Sequence, residues 1–173
     1  MAKTPHTVTV EDLRKAFSSR KLLQQFDAFY CYSKQRPSIE ALPFLRRALR
    51  SKDWSVIKSA AISLQKLGKE ALPAVQELIN AAYAVDKFDL PQAYPVCLPA
   101  LVTIDPTNEE ILHLVTHWVG LHNWMVTSTA MKALQKIGTT EATALLKRIH
   151  DFWYSEWSKR ERELAAKFLK PLK

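Results

Sequence analysis

An internal repeat constrains the fold of this chain more than any other feature of its sequence. Residues 53–68 align with residues 123–138, and seven of the sixteen aligned positions are identical. The tetrapeptide EALP also occurs twice, at 40–43 and at 70–73. Because one repeat unit cannot bury its apolar face alone, this pattern predicts similar units that pack on their neighbours. The identical pairs are Trp54 and Trp124, Val56 and Val126, Ala60 and Ala130, Leu64 and Leu134, Gln65 and Gln135, Lys66 and Lys136, and Gly68 and Gly138.

The repeated segments have the apolar spacing of amphipathic helices. Leu42 of the first EALP is followed by Leu45 and Leu49 at intervals of three and four residues, which is the spacing of one helix face. Proline in the first turn of a helix loses no hydrogen bond, so each EALP predicts a helix start. Gly68 and Gly138 predict the ends of two further helices, because glycine readily adopts the left-handed conformation that closes a helix. The sequence therefore predicts an all-α fold with two helices per unit and a period of about 35 residues.

We predict a single domain over residues 1–173, divided into repeats and flanking caps. N-terminal capping helices are expected at 9–35, about three repeats at 38–138 and C-terminal capping helices at 140–170. The terminal units of a stacked array need polar outer faces, so part of the charge at both ends is expected to serve capping.

Helix starts inside these ranges are predicted from polar residues three positions apart. In the capping box, a hydroxyl and an acidic side chain accept hydrogen bonds from backbone N–H groups at the start of a helix. The pairs that match this pattern are Thr9 with Asp12, Thr107 with Glu110, and Ser158 with Glu161.

The motif EALPxLxxAL and the residues after it resemble the HEAT repeat, in particular its short bacterial form. The resemblance covers roughly residues 38–154 and includes Asp53, Lys58 and Gly68. It implies a right-handed α-solenoid of antiparallel helix pairs, in which the second helix of each pair lines a concave wall. It implies little about function, because such repeats occur in scaffolds, adaptors, toxin-neutralising immunity proteins and some enzymes.

Motifs for enzyme chemistry are missing from the sequence. The chain has three glycines, too far apart for a GxxxxGK[ST] phosphate loop or a GxGxxG dinucleotide turn. His113 and His117 stand one helical turn apart with His122 nearby, but Leu114 takes the place of the glutamate in the zinc motif HExxH. We therefore expect no catalytic residue, no metal and no cofactor, and we interpret these histidines as surface or interface residues.

The cysteines and the apolar runs bear on the cellular compartment. Cys31 and Cys97 stand far apart in a chain that has no need of disulfides, so both are expected to be reduced thiols in a cytoplasmic protein. Residues 1–17 lack the apolar stretch of a signal peptide, and the longest apolar run, 95–104, is too short to span a bilayer. The sequence therefore indicates neither secretion nor a membrane partner.

Positive charge is concentrated towards both ends of the chain, and the formal net charge is +8. Residues 1–50 hold ten bases and four acids, and residues 131–173 hold ten bases and five acids. Residues 91–130 hold no base and three acids. Such a field attracts acidic protein surfaces or phosphates, so an acidic partner is favoured over a basic one.

These observations favour a non-enzymatic interaction module, such as an adaptor, scaffold or immunity protein, that binds one partner protein on its concave face. Polar residues of the predicted second helices would face that partner beside an aromatic anchor. Packing between repeats is an alternative role for Trp54 and Trp124, which occupy equivalent positions. The residues predicted to contact the partner are Lys58, Gln65, Lys66, Thr127, Gln135 and Lys136, with Trp118 or Trp124 as the anchor.

A nucleic-acid-binding protein is the alternative interpretation. The chain is similar in its repeats to the HEAT-like alkylpurine DNA glycosylases, which wrap a duplex with a basic concave surface. The predicted second helices offer mainly Lys58, Lys66, Lys132 and Lys136 as bases. A few lysines predict weak, salt-sensitive binding rather than a wrapping enzyme, so nucleic acid is the less favoured partner.

Overall fold

The computed structural model describes residues 7–19, 21–84, 96–119 and 124–152. These residues form helices joined by short connections, with no strand among them. The prediction of an all-α fold class is confirmed. In chain order the α-helices are α1 (Val10–Ser18), α2 (Leu22–Lys34), α3 (Leu42–Ala48), α4 (Trp54–Leu67), α5 (Val75–Ala84), α6 (Cys97–Ile104), α7 (Glu109–Val119), α8 (Trp124–Ile137) and α9 (Thr140–Phe152).

The repeated motifs occupy helix boundaries, as the sequence predicts. Short 3-10 segments at Ile39–Ala41 and Gly68–Ala74 lead into α3 and α5, and the two EALP motifs fall on these entries. Gly68 and Gly138 follow the last residues of α4 and α8 with φ of 60° and 66°. Residues with a side chain rarely adopt that conformation, so both glycines act as helix stops.

Two of the predicted capping boxes lie in the described residues. The one at Thr9 is confirmed, and the one at Thr107 is wrong. The N–H of Asp12 donates to Thr9 Oγ1 at 3.2 Å, and the N–H of Thr9 donates to Asp12 Oδ2 at 2.8 Å. Helix α7 instead begins at Glu109, one residue later than a Thr107 cap requires. Asn108 Oδ1 accepts from the N–H of Glu110 at 3.0 Å, while the Thr107 hydroxyl bonds to an Asp105 carboxylate oxygen at 3.1 Å.

The predicted C-terminal cap is described only in part. Helix α9 occupies the start of the expected range 140–170. The closing helix predicted from Ser158 and Glu161 lies outside the described residues.

Helices contact their neighbours in the chain and also every second helix. Helix α1 packs on α2, α3 on α4, α5 on α6, α7 on α8, and α9 also packs on α8. The even-numbered helices also contact one another in chain order: α4 contacts α2 and α6, and α6 contacts α8. Buried apolar side chains from α1 to α9 form one cluster. The even-numbered helices therefore form one continuous series of helix contacts, from α2 to α8.

Two side chains near the end of α2 connect the first helix pair to the chain on both sides. The Gln35 amide donates to the carbonyl of Val8 and accepts from the N–H of Val8 at 3.2 Å. Tyr32 is buried, and its hydroxyl accepts from the N–H of Ser38 at 2.9 Å. Burial raises the pKa of Tyr32, so this hydroxyl stays neutral over a wide pH range.

Leucine at the equivalent alanines of α4 and α8 is expected to destabilise the protein. Ala60 and Ala130 are both 0 % exposed, so each added side chain must displace packed neighbours. We expect Ala60→Leu and Ala130→Leu each to lower the free energy of unfolding by about 1–3 kcal/mol in urea denaturation. Ala144→Leu on the exposed face of α9 is the matched control. Unchanged urea midpoints in both core variants would contradict the alignment of the two repeats.

Candidate partner-binding surface

Lys66, one of the residues predicted to contact a partner, binds the end of a neighbouring helix. Its side chain extends from the last turn of α4, and Nζ donates to the carbonyl of Ser33 at 2.6 Å and of Gln35 at 3.2 Å. The last carbonyls of a helix have no partner within the helix, and a positive charge there is favourable. Lys66 therefore caps the C-terminus of α2 from outside.

Lys136 on α8 makes the corresponding contact with α6, the preceding even-numbered helix. Its Nζ donates to Thr103 Oγ1 near the end of α6 at 2.8 Å, and the Thr103 hydroxyl donates to the carbonyl of Pro99 at 2.8 Å. Lys136 and Thr103 are 33 residues apart, as are Lys66 and Ser33. The two repeated lysines thus link α4 to α2 and α8 to α6. Their acceptors are uncharged, so neither contact neutralises the positive charge.

Replacing Lys66 is expected to cost stability, unlike replacing Lys58. The Lys66→Met variant removes two charge-assisted hydrogen bonds and leaves the carbonyls of Ser33 and Gln35 to water. We expect a loss of about 1 kcal/mol in the free energy of unfolding. Lys58 lies exposed on the same helix and makes no hydrogen bond or ion pair with another described residue, so Lys58→Met is the control. Equal urea midpoints for the two variants would show that the Lys66 contact contributes nothing.

The remaining predicted contact residues separate into surface and core positions. Lys58 is exposed, and Gln65 and Gln135 are half-buried. Thr127 is 3 % exposed and Trp118 is 0 % exposed, so both lie in the core. A side chain in either position cannot reach a partner on the folded surface, and Trp118 is therefore not a surface anchor. Trp124 begins α8, but its side chain lies outside the described part of the structure.

Helix α2 has an exposed apolar stripe that the sequence analysis did not single out. Leu22, Phe26 and Tyr30 follow one another at intervals of four residues, which places them on one side of the helix. Leu22, Leu23 and Tyr30 are 55 %, 70 % and 45 % exposed. The Phe26 and Tyr30 rings stack with centroids 5.5 Å apart, and Lys34 Nζ lies 4.7 Å from the centre of the Tyr30 ring. The four-residue spacing of apolar side chains within residues 22–34 is the sequence signal that indicates this stripe.

Positive charge predominates on the four even-numbered helices. Their only acidic residue is Asp27, and the bases are all lysines with exposed positions. Because these charges are not balanced by acids on the same helices, this series of helices attracts negative charge. The lysines are Lys34, Lys58, Lys66, Lys132 and Lys136.

The histidines and cysteines do not form a recognisable chemical site in the described part of the chain. His113 and His117 are exposed, and His113 lines an open depression of about 570 Å³ with Glu109 and Glu141. Within the described ranges, no group of three or more His, Cys, Asp or Glu side chains is arranged to hold a metal ion. His122 lies outside these ranges. Cys31 and Cys97 are free thiols, and burial raises the pKa of Cys97 to about 12.

No protein-family model matches the chain, and no curated protein matches its sequence. Among the described helices, none combines the length and the apolar character that crossing a membrane requires. The HEAT-like resemblance therefore rests on the residues of this chain alone.

Proposed function

We propose that this chain is a non-enzymatic, cytoplasmic interaction module of the adaptor or immunity-protein kind. In this proposal residues 38–138 form HEAT-like repeats in a right-handed α-solenoid. The even-numbered helices line its concave face, and that face holds one partner protein with an acidic surface.

Two features support the solenoid arrangement. The even-numbered helices contact one another in chain order, as the second helices of stacked pairs do. The contacts of Lys66 and Lys136 recur with the same separation of 33 residues, which is close to the repeat period. Lysine contacts that recur at this spacing are expected where helix pairs stack with similar geometry, and here the acceptors differ: backbone carbonyls for Lys66 and a threonine hydroxyl for Lys136.

The excess of lysine on the even-numbered helices is the observation that carries the choice of partner. Helices α2, α4, α6 and α8 together contain five lysines and one aspartate. Opposite charge on a partner would steer its approach and raise the association rate, and like charge would oppose it. An acidic protein surface therefore fits this face.

The exposed stripe of α2 favours a protein over a nucleic acid. Leu22 and Leu23 are aliphatic and more than half exposed, whereas nucleic-acid surfaces offer phosphates and base faces. Large exposed apolar side chains next to charges are typical of the centre of a protein interface. Arginine, which pairs bidentately with phosphate, does not occur in these four helices.

The proposal is tested by reversing charge on the proposed face. Lys58 and Lys132 are exposed and make no hydrogen bond with another described residue, so the pair Lys58→Glu and Lys132→Glu should leave the fold unchanged. We expect one stoichiometric protein to be captured from nuclease-treated host lysate by the wild-type chain. We expect its association rate to fall about tenfold or more in the double variant, and to fall with added salt in the wild type.

The matched control reverses two charges elsewhere. Lys147→Glu with Arg148→Glu gives the same change in net charge on exposed positions of α9. Its association rate should stay close to that of the wild-type chain. If both double variants lost the same amount of association rate, the effect would depend on net charge alone, and the proposed face would be contradicted. Recovery of nucleic acid without a stoichiometric protein, or tight duplex binding at physiological salt, would favour the alternative function.

A further inference from the structure

Three arginines lie close together on α3 and the turn after it, away from the four even-numbered helices. Arg46 and Arg50 are one helical turn apart and both reach the same carboxylate, that of Glu77 on α5. Arg46 Nε and Nη2 donate to Glu77 Oε1 at 3.1 and 2.6 Å, and Arg50 Nη2 donates to the same oxygen at 3.4 Å. Glu77 thus positions two guanidinium groups side by side.

The third arginine is positioned by an aromatic ring. The guanidinium carbon of Arg47 lies 5.1 Å from the centre of the Phe17 ring, which stacks on Phe44 with centroids 6.4 Å apart. A guanidinium group that stacks on a ring keeps its N–H donors free at the edge of its plane. Arg47 is exposed and forms no ion pair with another described residue.

These arginines border one shallow depression. Arg46, Arg47 and Arg50 line it with Pro43 and Glu77, and its volume is about 320 Å³. The side chains of Arg46 and Arg50 are 43 % and 75 % exposed, so their remaining N–H donors are available to a ligand. Glu77 is 8 % exposed and its second oxygen is buried, so the carboxylate supports the guanidinium groups from below.

The charges of this depression do not balance. Three guanidinium groups carry three positive charges, and Glu77 is the single carboxylate that forms an ion pair with them among the described residues. Two positive charges therefore remain in a depression whose guanidinium groups are already oriented. A phosphate monoester carries nearly two negative charges at neutral pH and three acceptor oxygens, whereas a carboxylate carries one charge and two oxygens.

We propose that Arg46, Arg47 and Arg50 form a binding site for a phosphate group with nearly two negative charges, carried either by a monoester or by a free small phosphate. Arg46 and Arg50 contribute N–H donors that Glu77 does not use, and Arg47 contributes the edge of its stacked guanidinium plane. Glu77 and Phe17 are positioning residues that orient these groups before the ligand arrives. This site is independent of the proposed partner face, because α3 and α5 are not among the even-numbered helices.

The test follows arginine side-chain Nε–Hε signals by NMR while the intact chain is titrated at constant ionic strength and pH 7.5. The probes are acetyl-Gly-phosphoserine-Gly-amide, the same peptide with aspartate in place of phosphoserine, and inorganic phosphate. We expect saturable shifts with the phosphopeptide and binding about tenfold weaker for the aspartate peptide. Equal affinity for phosphopeptide and inorganic phosphate would assign a free small phosphate. Tighter binding of the phosphopeptide would assign a phosphorylated side chain, and both results support the site.

Exposed arginines supply the variants and the control. Arg47→Met and Arg50→Met change exposed side chains, and each should weaken phosphopeptide binding about tenfold. Arg14→Met removes an equally charged, 68 % exposed side chain on α1 and should leave binding unchanged. Absence of saturable shifts, equal binding of the aspartate peptide, or equal weakening in the Arg14 variant would overturn the proposal.

Discussion

Trp118→Ala is expected to lower the free energy of unfolding by about 3–5 kcal/mol, which is a large part of the stability of a typical domain. Trp118 is among the largest fully buried side chains of the described residues and belongs to the common apolar cluster. Truncation to alanine removes its apolar contacts and leaves a cavity that the surrounding helices fill only in part. Urea denaturation followed by circular dichroism at 222 nm measures the loss.

The matched aromatic control is Tyr30→Ala on the exposed stripe of α2. Tyr30 is 45 % exposed, so we expect its truncation to cost less than about 1 kcal/mol. The two variants also differ in partner binding: Tyr30→Ala should weaken it in a fully folded protein. A Trp118→Ala protein that keeps wild-type stability but loses its partner would restore Trp118 as a surface anchor and contradict the packing of α7.

Arg46→Met is expected to destabilise the protein by about 2–3 kcal/mol at neutral pH, because it leaves the buried Glu77 carboxylate with fewer donors. Of the hydrogen bonds to Glu77 Oε1, only that of Arg50 at 3.4 Å would remain. Repeating the change in a Glu77→Gln background tests the cause, since the cost should then fall below about 1 kcal/mol. An equal cost in both backgrounds would show that Arg46 stabilises the fold through packing alone.

The cost of Arg46→Met should also depend on pH. Burial raises the pKa of Glu77, but the Arg46 hydrogen bonds and the charges of Arg46 and Arg50 outweigh burial and hold the pKa below its ordinary value. In the wild type, Glu77 therefore contributes stability above the unfolded-state pKa of about 4.3, and this is lost as pH falls through the folded-state pKa. Without Arg46, the pKa loses the largest contribution that lowers it and is higher than in the wild type, so protonation relieves the buried charge at a higher pH. The difference in stability between the two proteins should shrink from pH 7 to pH 4, and a constant difference would contradict this account of Glu77.

Features that depend on a few neighbouring residues could be predicted from the sequence. The helix stops at Gly68 and Gly138 and the capping box at Thr9 follow from local backbone geometry, and the structure has them where expected. The sequence pattern predicts the start of α7 one residue too early, because the adjacent polar residues Thr107 and Asn108 can both accept from N–H groups at a helix start. Asn108 caps the helix, while the Thr107 hydroxyl bonds to an aspartate instead.

Features that depend on distant residues could not be predicted in the same way. The sequence marks Lys66 as a repeated polar residue, but its acceptors lie on α2, more than thirty residues away. Likewise, Arg46 and Glu77 are 31 residues apart, and their pairing requires the register between α3 and α5. The amphipathic pattern of α7 does not show which neighbouring helices cover Trp118. Because Trp118 is buried, the exposed stripe of α2 replaces it as the candidate anchor.

Amide hydrogen exchange of the chain with and without its captured partner tests whether the partner lies on the even-numbered helices. We expect slower exchange on binding in α2, α4, α6 and α8, and little change in α3, α5 and α7. The Lys58→Glu and Lys132→Glu variant should show a weaker footprint at the same concentrations. Protection confined to α3, α5 and α7, or a footprint retained in full by the double variant, would contradict the claim.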